Sequence, residues 1–178
     1  YPLTLEPGTE FARMTRTGEL PSLDEDLQAD MMEEAAKLLA ARGLERYEVA
    51  SYAYPGYECR HNIAYWTGVP YLGIGHSAVT MAQDASRRAR MQDDMVVDEL
   101  DAAQMAAEDL MLGMRMSRVV GPDLLERAAA LLPELHDTLV DLEQKGLLVF
   151  EDDRIRPTER GWLCGNELYG ALLELAPY

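Results

Sequence analysis

The sequence predicts an α/β region followed by a small winged-helix-like α+β module, and three observations carry that expectation. In the first half, apolar-alternating or apolar runs near residues 3–5, 47–54 and 71–80 surround one long helical pattern, the order of α/β units with ligand groups at strand ends. In the second half, three runs of helical apolar spacing precede a short hairpin and a closing helix. A chain of 178 residues with 48% hydrophobic content can also bury a core of its own.

Each element follows from local chemistry. Leu3 and Leu5 alternate with Thr4 and Glu6 before Pro7-Gly8, which predicts a strand ending in a turn. From Ser22, the run Ser-Leu-Asp-Glu-Asp-Leu supplies a helix cap with carboxylates in the first turn. Leu27, Met31, Ala35, Leu38 and Leu39 then repeat at helical spacing until Gly43. Tyr47 to Tyr54 reads as a strand, and Tyr71 to Thr80 as a second one whose glycines permit close approach of another backbone or a ligand. Composition shifts near Arg87-Arg88-Ala89-Arg90, and arginines in that density predict a solvated linker or helix face. The boundary is therefore expected between residues 82 and 98, giving regions 1–90 and 91–178.

Beyond it, Asp98 to Met114 carries Leu100, Met105, Leu110 and Met114 at helical spacing, and Gly121-Pro122-Asp123 breaks the pattern before Leu124 to Leu132. Pro133 opens a third helix with Leu135, Leu139 and Leu142, stopped by Lys145-Gly146. Leu147 to Phe150 and Arg154 to Arg156 flank a polar turn and predict a hairpin. Thr158-Glu-Arg-Gly161 leads into a last helix, about Trp162 to Leu175.

Charge and cysteine usage exclude several function classes. Thirty-two acidic against sixteen basic residues give a net charge of −16, which repels phosphate backbones and anionic lipid surfaces. A winged helix often places one helix in a major groove. Here, however, residues 98–178 hold seven Lys or Arg against seventeen Asp or Glu, and the third helix is itself acidic, so no nucleic-acid partner is expected. Cys59 and Cys164 form neither a CxxC pair nor a disulfide framework, which points to a reducing, cytoplasmic setting. No apolar run of about 18 residues predicts a membrane span. The chain begins without methionine inside an apolar-alternating stretch, as the remainder of a longer protein would.

The densest chemistry lies in Arg60-His-Asn-Ile-Ala-Tyr-Trp66. An imidazole coordinates heme iron through one ring nitrogen when a hydrogen bond orients the other, which makes His61 the candidate metal ligand. If the segment is helical, Tyr65 shares a face with His61 and can lie against a porphyrin or meet a propionate. Arg60 has the planar fork that suits a propionate carboxylate. On the residues alone the reading that ties Arg60, Asn62 and Tyr65 to a loop and puts Trp66 in the core is the one favoured. Cys59 is a thiolate ligand or a half-buried thiol, and His76 a second axial ligand or a satisfied loop histidine. His136, on a helix among leucines and acids, and Met105, Met111, Met114 and Met116 at helical spacing read as surface or core packing. Glu6 and Glu48 are strand-end carboxylates without an identified partner.

Four blocks in order resemble one family. Tyr1-Pro-Leu-Thr-Leu-Glu-Pro-Gly-Thr9, Tyr47-Glu-Val-Ala-Ser-Tyr-Ala53 with Pro55-Gly56, the Arg60–Trp66 window, and Glu108-Asp-Leu-Met-Leu-Gly-Met-Arg115 with Arg156-Pro-Thr-Glu-Arg-Gly161 are similar to the oxygen-independent coproporphyrinogen III oxidase-like radical SAM proteins. The His-Asn-x-x-Tyr-Trp window resembles the motif of that family's heme-chaperone branch, often called HemW. The resemblance implies the carboxyl-terminal part of a TIM-like radical SAM barrel followed by the family's winged-helix-like domain. It also implies heme as ligand at Arg60, His61, Asn62, Tyr65 and Trp66, and a heme-accepting protein as possible partner.

The resemblance is incomplete. The family's Cys-x-x-x-Cys-x-x-Cys loop is missing, and two distant cysteines cannot hold a [4Fe–4S] cluster. S-adenosyl-L-methionine and the cluster are thus implied for the intact parent, and this chain alone is expected to lack radical chemistry. The segment Gly73-Ile-Gly-His-Ser-Ala-Val-Thr80 is closer to the pattern of the coproporphyrinogen dehydrogenases, in which the position of Val79 lies beside the adenosine of SAM. Three functions stay open at this level: part of a heme chaperone or transferase, part of an oxidase that decarboxylates coproporphyrinogen III, or an acidic interaction module. The missing barrel strands would leave an open sheet edge and favour dimerisation.

Overall fold

The structure, a computed structural model, describes residues 2–177; Tyr1, at the head of the first expected strand, and Tyr178, the end of the second region, lie outside the described residues. It is a mixed α/β chain with small sheets, and every strand pair among the described residues is antiparallel. Two compact units emerge: one of the residues up to Arg46 with Ala50–Tyr57, the other of Tyr47–Val49 with Glu58 onward.

In the smaller unit, α1 (Glu10–Thr17) starts where the Thr9 hydroxyl accepts the Ala12 N–H at 3.3 Å and stops at Gly18, whose φ of +80° suits glycine. The Arg13 guanidinium clasps Glu10 and Glu19 at its surface. The long helix α2 (Glu25–Ala40) is capped by Asp24, whose carboxylate accepts the Leu27 N–H at 3.0 Å, rather than by Ser22. Neither helix holds a fully buried residue. β1 (Glu45–Arg46) pairs with β2 (Tyr52–Ala53).

The larger unit begins with α3 (Arg60–Trp66) and a three-stranded meander, β3 (Val79–Gln83), β4 (Arg87–Gln92) and β5 (Met95–Asp101), in the order β3-β4-β5. Asp93 and Asp94, both at positive φ, make the two-residue turn between β4 and β5, where an aspartate tolerates left-handed backbone. Asp101 then caps α4 (Ala102–Gly113) in a reciprocal capping box with Gln104. α5 (Pro122–Ala129), α6 (Leu135–Gln144), the hairpin β6 (Leu148–Glu151) and β7 (Arg154–Pro157), α7 (Glu159–Leu163) and α8 (Gly165–Leu173) complete the chain. Their core is apolar and closed: Leu110, Leu142, Leu147, Ile155, Leu168 and Leu172 are all fully buried.

The hairpin is locked to α7 by backbone proximity. A Cβ on Gly161 would sit 1.9 Å from the Leu147 carbonyl oxygen, so only glycine fits. The Thr158 hydroxyl donates to the Gly146 carbonyl at 2.6 Å and accepts the Gly161 N–H at 3.0 Å. This is the physical content of the Thr158-Glu-Arg-Gly161 motif.

Several expectations are corrected. Residues 3–6 form no strand: Leu3 is 53% exposed and no described strand pairs with it. The expected strand at 47–54 is divided, because Tyr47 accepts the Ser117 N–H and Glu48 bridges Met116, whereas Tyr52 and Ala53 turn back on β1. Of residues 71–80 only Val79 and Thr80 lie in a strand and Tyr71 makes a single bridge to Met81, since Gly75 and Ser77 at positive φ turn the chain between. Residues 98–101 belong to β5 and not to the following helix, α1 was not expected, and the last helix is interrupted at Cys164.

The largest correction concerns the arginines. Arg88 is no linker residue: it lies on β4 with 1% exposure, giving Nη1 to Glu108, Nη2 to Asp109 at 2.7 Å and Nε to Gln83 at 2.7 Å. Arg90 joins the same group, reaching Asp98 and, at 2.7 and 2.9 Å, both oxygens of Glu108. Burial alone would lower the pKa of each arginine, but the surrounding carboxylates outweigh it and hold both above the ordinary value.

Removing one partner of such a group leaves buried charge uncompensated. Arg88→Ala is expected to cost about 3–5 kcal/mol in urea unfolding followed by tryptophan fluorescence. Pairing Arg88→Met with Glu108→Gln and Asp109→Asn should recover part of that loss.

Candidate functional site

Seven residues make barely two turns of helix, too few for α3 to stand without neighbours. Cys59 precedes it without a side-chain cap, so contacts along its sides must fix it. The Arg60–Trp66 window divides those sides between two uses. Asn62 and Trp66, four residues apart, face inward. The Asn62 amide donates to the Tyr47 hydroxyl at 3.3 Å, and the Arg115 guanidinium lies over the Trp66 ring at 4.7 Å and over Tyr169 at 4.9 Å. The stack ties α3 to the end of α4 and to α8.

His61 and Tyr65, also four apart, occupy the exposed side. Their rings meet edge to face with centroids 4.8 Å apart and planes at 89°, and Tyr65 meets Tyr71 at 4.9 Å. Among the described residues no hydrogen bond engages the His61 imidazole, so both ring nitrogens are available to a ligand or water. Arg60, at the helix start, is exposed and has no carboxylate partner among the described residues. The arrangement can therefore offer an imidazole nitrogen, a flat aromatic surface and a free guanidinium side by side.

The structure brings five of the six sequence-derived site residues together on one helix and leaves the sixth apart from it. Val79 opens β3 with its backbone against Gly73, where an added Cβ would lie 2.5 Å from the Val79 carbonyl oxygen. The close approach expected of the glycines is thus to another backbone. His76 sits on the exposed loop, and no ring or hydrogen-bond contact links it to His61 among the described residues. Cys59 is exposed and Cys164 half-buried, both free. No cluster of three or more His, Cys, Asp or Glu side chains suited to a metal ion occurs among the described residues. Met114 and Met116 are core, and His136 is exposed on α6. Glu6 is exposed, whereas Glu48 is buried, and its Oε1 meets no hydrogen-bond donor.

Sequence reasoning missed three residues that shape the site: Tyr47, Tyr71 and Arg115. Tyr47 and Arg115 lie inside blocks already marked as family-like, but which face each presents depends on the fold. A cleft of about 240 Å³ beside α3 is lined by Trp66, Thr67 and Gly113 among others, and by neither His61 nor Tyr65. The imidazole thus presents an open face.

Residues 100–164 match the HemN C-terminal domain. The heme chaperone HemW of Mycobacterium tuberculosis is 32% identical over 97% of this chain and 46% of its own length, and that of Bacillus subtilis 27% identical over 97% and 50%. The Escherichia coli heme chaperone HemW is 45% identical over 45% of this chain and 21% of its own. The chain spans about half the length of the curated relatives it matches end to end. A solved structure, coproporphyrinogen III oxidase (HemN) from Escherichia coli, described as a radical SAM enzyme, superposes with a TM-score of 0.53 over 89% of this chain and 42% of that one. At 16% identity that likeness speaks for the fold alone. Along 97% of its length the chain is similar to heme chaperone HemW proteins, and over residues 100–164 to the HemN C-terminal domain, as a carboxyl-terminal piece of a HemW/HemN-like protein would be.

Proposed function

We propose that this chain carries the heme-facing part of a HemW-type heme chaperone, with heme as its cargo. The single observation that carries the reading is the division of α3: Asn62 and Trp66 spend their polar and aromatic groups holding the helix, while His61 and Tyr65 are left exposed with no competing hydrogen bond. Histidine is a common iron ligand, and its neutral nitrogen binds without further chemistry. Arg60 supplies the guanidinium for a propionate. An open face suits a carrier that must release what it binds to a heme-accepting protein. The relatives' names favour this reading over the oxidase and over an acidic module without heme.

The same reading assigns residues 1–90 to the closing part of a radical SAM-type barrel and 91–178 to a winged-helix-like domain, supported by the α4–α5–α6 series followed by the β6–β7 hairpin. S-adenosyl-L-methionine and a [4Fe–4S] cluster belong to the intact protein, with Val79 as the residue offered to the adenosine. The cluster has no place on this chain, whose two cysteines sit in separate elements. Nucleic acid is disfavoured by the cleft of about 570 Å³ at α6 and the end of α8, where Glu134, Asp137, Asp141 and Glu174 outnumber Lys145. No helix among the described residues is long and apolar enough to cross a membrane. Self-association is assigned to the open sheet edge that the missing barrel strands would otherwise cover.

Titration with hemin tests the heme reading. The wild type should give a saturable Soret shift that His61→Ala abolishes; equal uptake by both proteins would remove His61 from the site. Incubation with SAM, iron, sulfide and a reductant should yield no 5′-deoxyadenosine above a metal-only control, and product above that level would reverse the assignment of the cluster. In sedimentation, apparent mass should rise with concentration, and a monomer at all concentrations would set that contact aside.

A further inference from the structure

A histidine that ligates a metal is ordinarily oriented by a hydrogen bond from its second ring nitrogen. His61 has none among the described residues, and it stands on a helix of two turns at the protein surface. Its neighbours are rings. The Tyr65 ring meets the imidazole edge to face at 4.8 Å, and the Tyr71 ring meets Tyr65 at 4.9 Å with the planes tilted by 59°.

Tyr71 itself is held on two sides. Its backbone exchanges hydrogen bonds of 3.1 and 2.9 Å with Met81 on β3. Its side chain lies near enough to the Arg90 guanidinium to help hold it charged, and Arg90 is fixed in turn by Asp98 and Glu108. A continuous series of contacts thus runs from the buried ion group on β4 and α4, through Tyr71 and Tyr65, to the exposed imidazole.

We propose that Tyr71 is the positioning residue of the His61 site: its ring, anchored by Met81 and Arg90, holds Tyr65 upright and so sets the direction in which the imidazole presents its nitrogen. The inference rests on the heme reading above and adds to it a residue outside the His-Asn-x-x-Tyr-Trp motif. Tyr71 need not touch the porphyrin. It replaces the missing hydrogen bond by aromatic packing.

Hemin titrations of single and double variants test it. Tyr71→Leu is expected to weaken His61-dependent hemin binding about 2- to 12-fold, the worth of one aromatic pair, and to alter the Soret position, while Tyr71→Phe, which keeps the ring, restores most of the affinity. Tyr65→Leu, a change on the exposed helix face, should give a similar loss that Tyr71→Leu does not deepen. In the His61→Ala background neither change should matter, because a residue acting through His61 has nothing left to position. Thermal unfolding of each variant separates this from a loss of fold. Unaltered His61-dependent affinity in Tyr71→Leu, or equal losses with and without His61, would overturn the inference and leave the heme reading intact. A wild type without His61-dependent uptake would overturn both.

Discussion

The larger unit depends on one buried ionic group. Arg88 and Arg90, two residues apart on β4, share the Glu108 carboxylate of α4, and Asp109, Asp98 and Gln83 accept from further donors. An apolar contact would hold a sheet to a helix at any of several registers, whereas a charge buried without its partner is costly. The group therefore specifies one placement of the meander on α4. The cleft, the aromatic series and the helix α3 all lie against elements whose positions it sets.

That constraint explains why a short helix can carry a functional group. Two turns of helix gain little from their own hydrogen bonds, so α3 borrows its order from Tyr47, Arg115 and Tyr169 on one side and from Tyr71 on the other. The seven-residue window reconciles two readings that the residues alone left open. Asn62 and Trp66 behave as the structural reading has it, tied to a hydroxyl and a guanidinium. His61 and Tyr65 remain exposed, as a ligand face requires.

Much of the architecture was legible where local periodicity and burial agree. Leu135, Leu139 and Leu142 announce α6 because the face they define is the face that is buried, and the polar turn between Phe150 and Arg154 announces the β6–β7 hairpin. The meander was not legible. β4 reads Arg-Arg-Ala-Arg, and its buried arginine looks like solvated charge until Glu108, twenty residues further on, is folded against it. Segment 71–80 misled for a related reason: its alternation is real, but Gly75 and Ser77 adopt left-handed backbone and turn the chain away from a ladder. The Arg60–Trp66 window is helical, so its i, i+4 spacing does put His61 beside Tyr65. What sequence withheld was the identity of the residues behind it, because Tyr71 and Arg115 reach α3 only through tertiary contact.

The close approach at Gly161 has an evolutionary reading as well as a steric one. With the Leu147 carbonyl oxygen 1.9 Å from where a first side-chain carbon would stand, position 161 admits a single amino acid as long as the hairpin and α7 keep their distance. Drift elsewhere in Thr158–Gly161 can be absorbed by rotamers, but a change at Gly161 must be matched by a shift of a whole strand. Such a position records ancestry faithfully while saying nothing of chemistry, so its persistence among relatives would mark shared architecture and leave shared activity to be argued from α3.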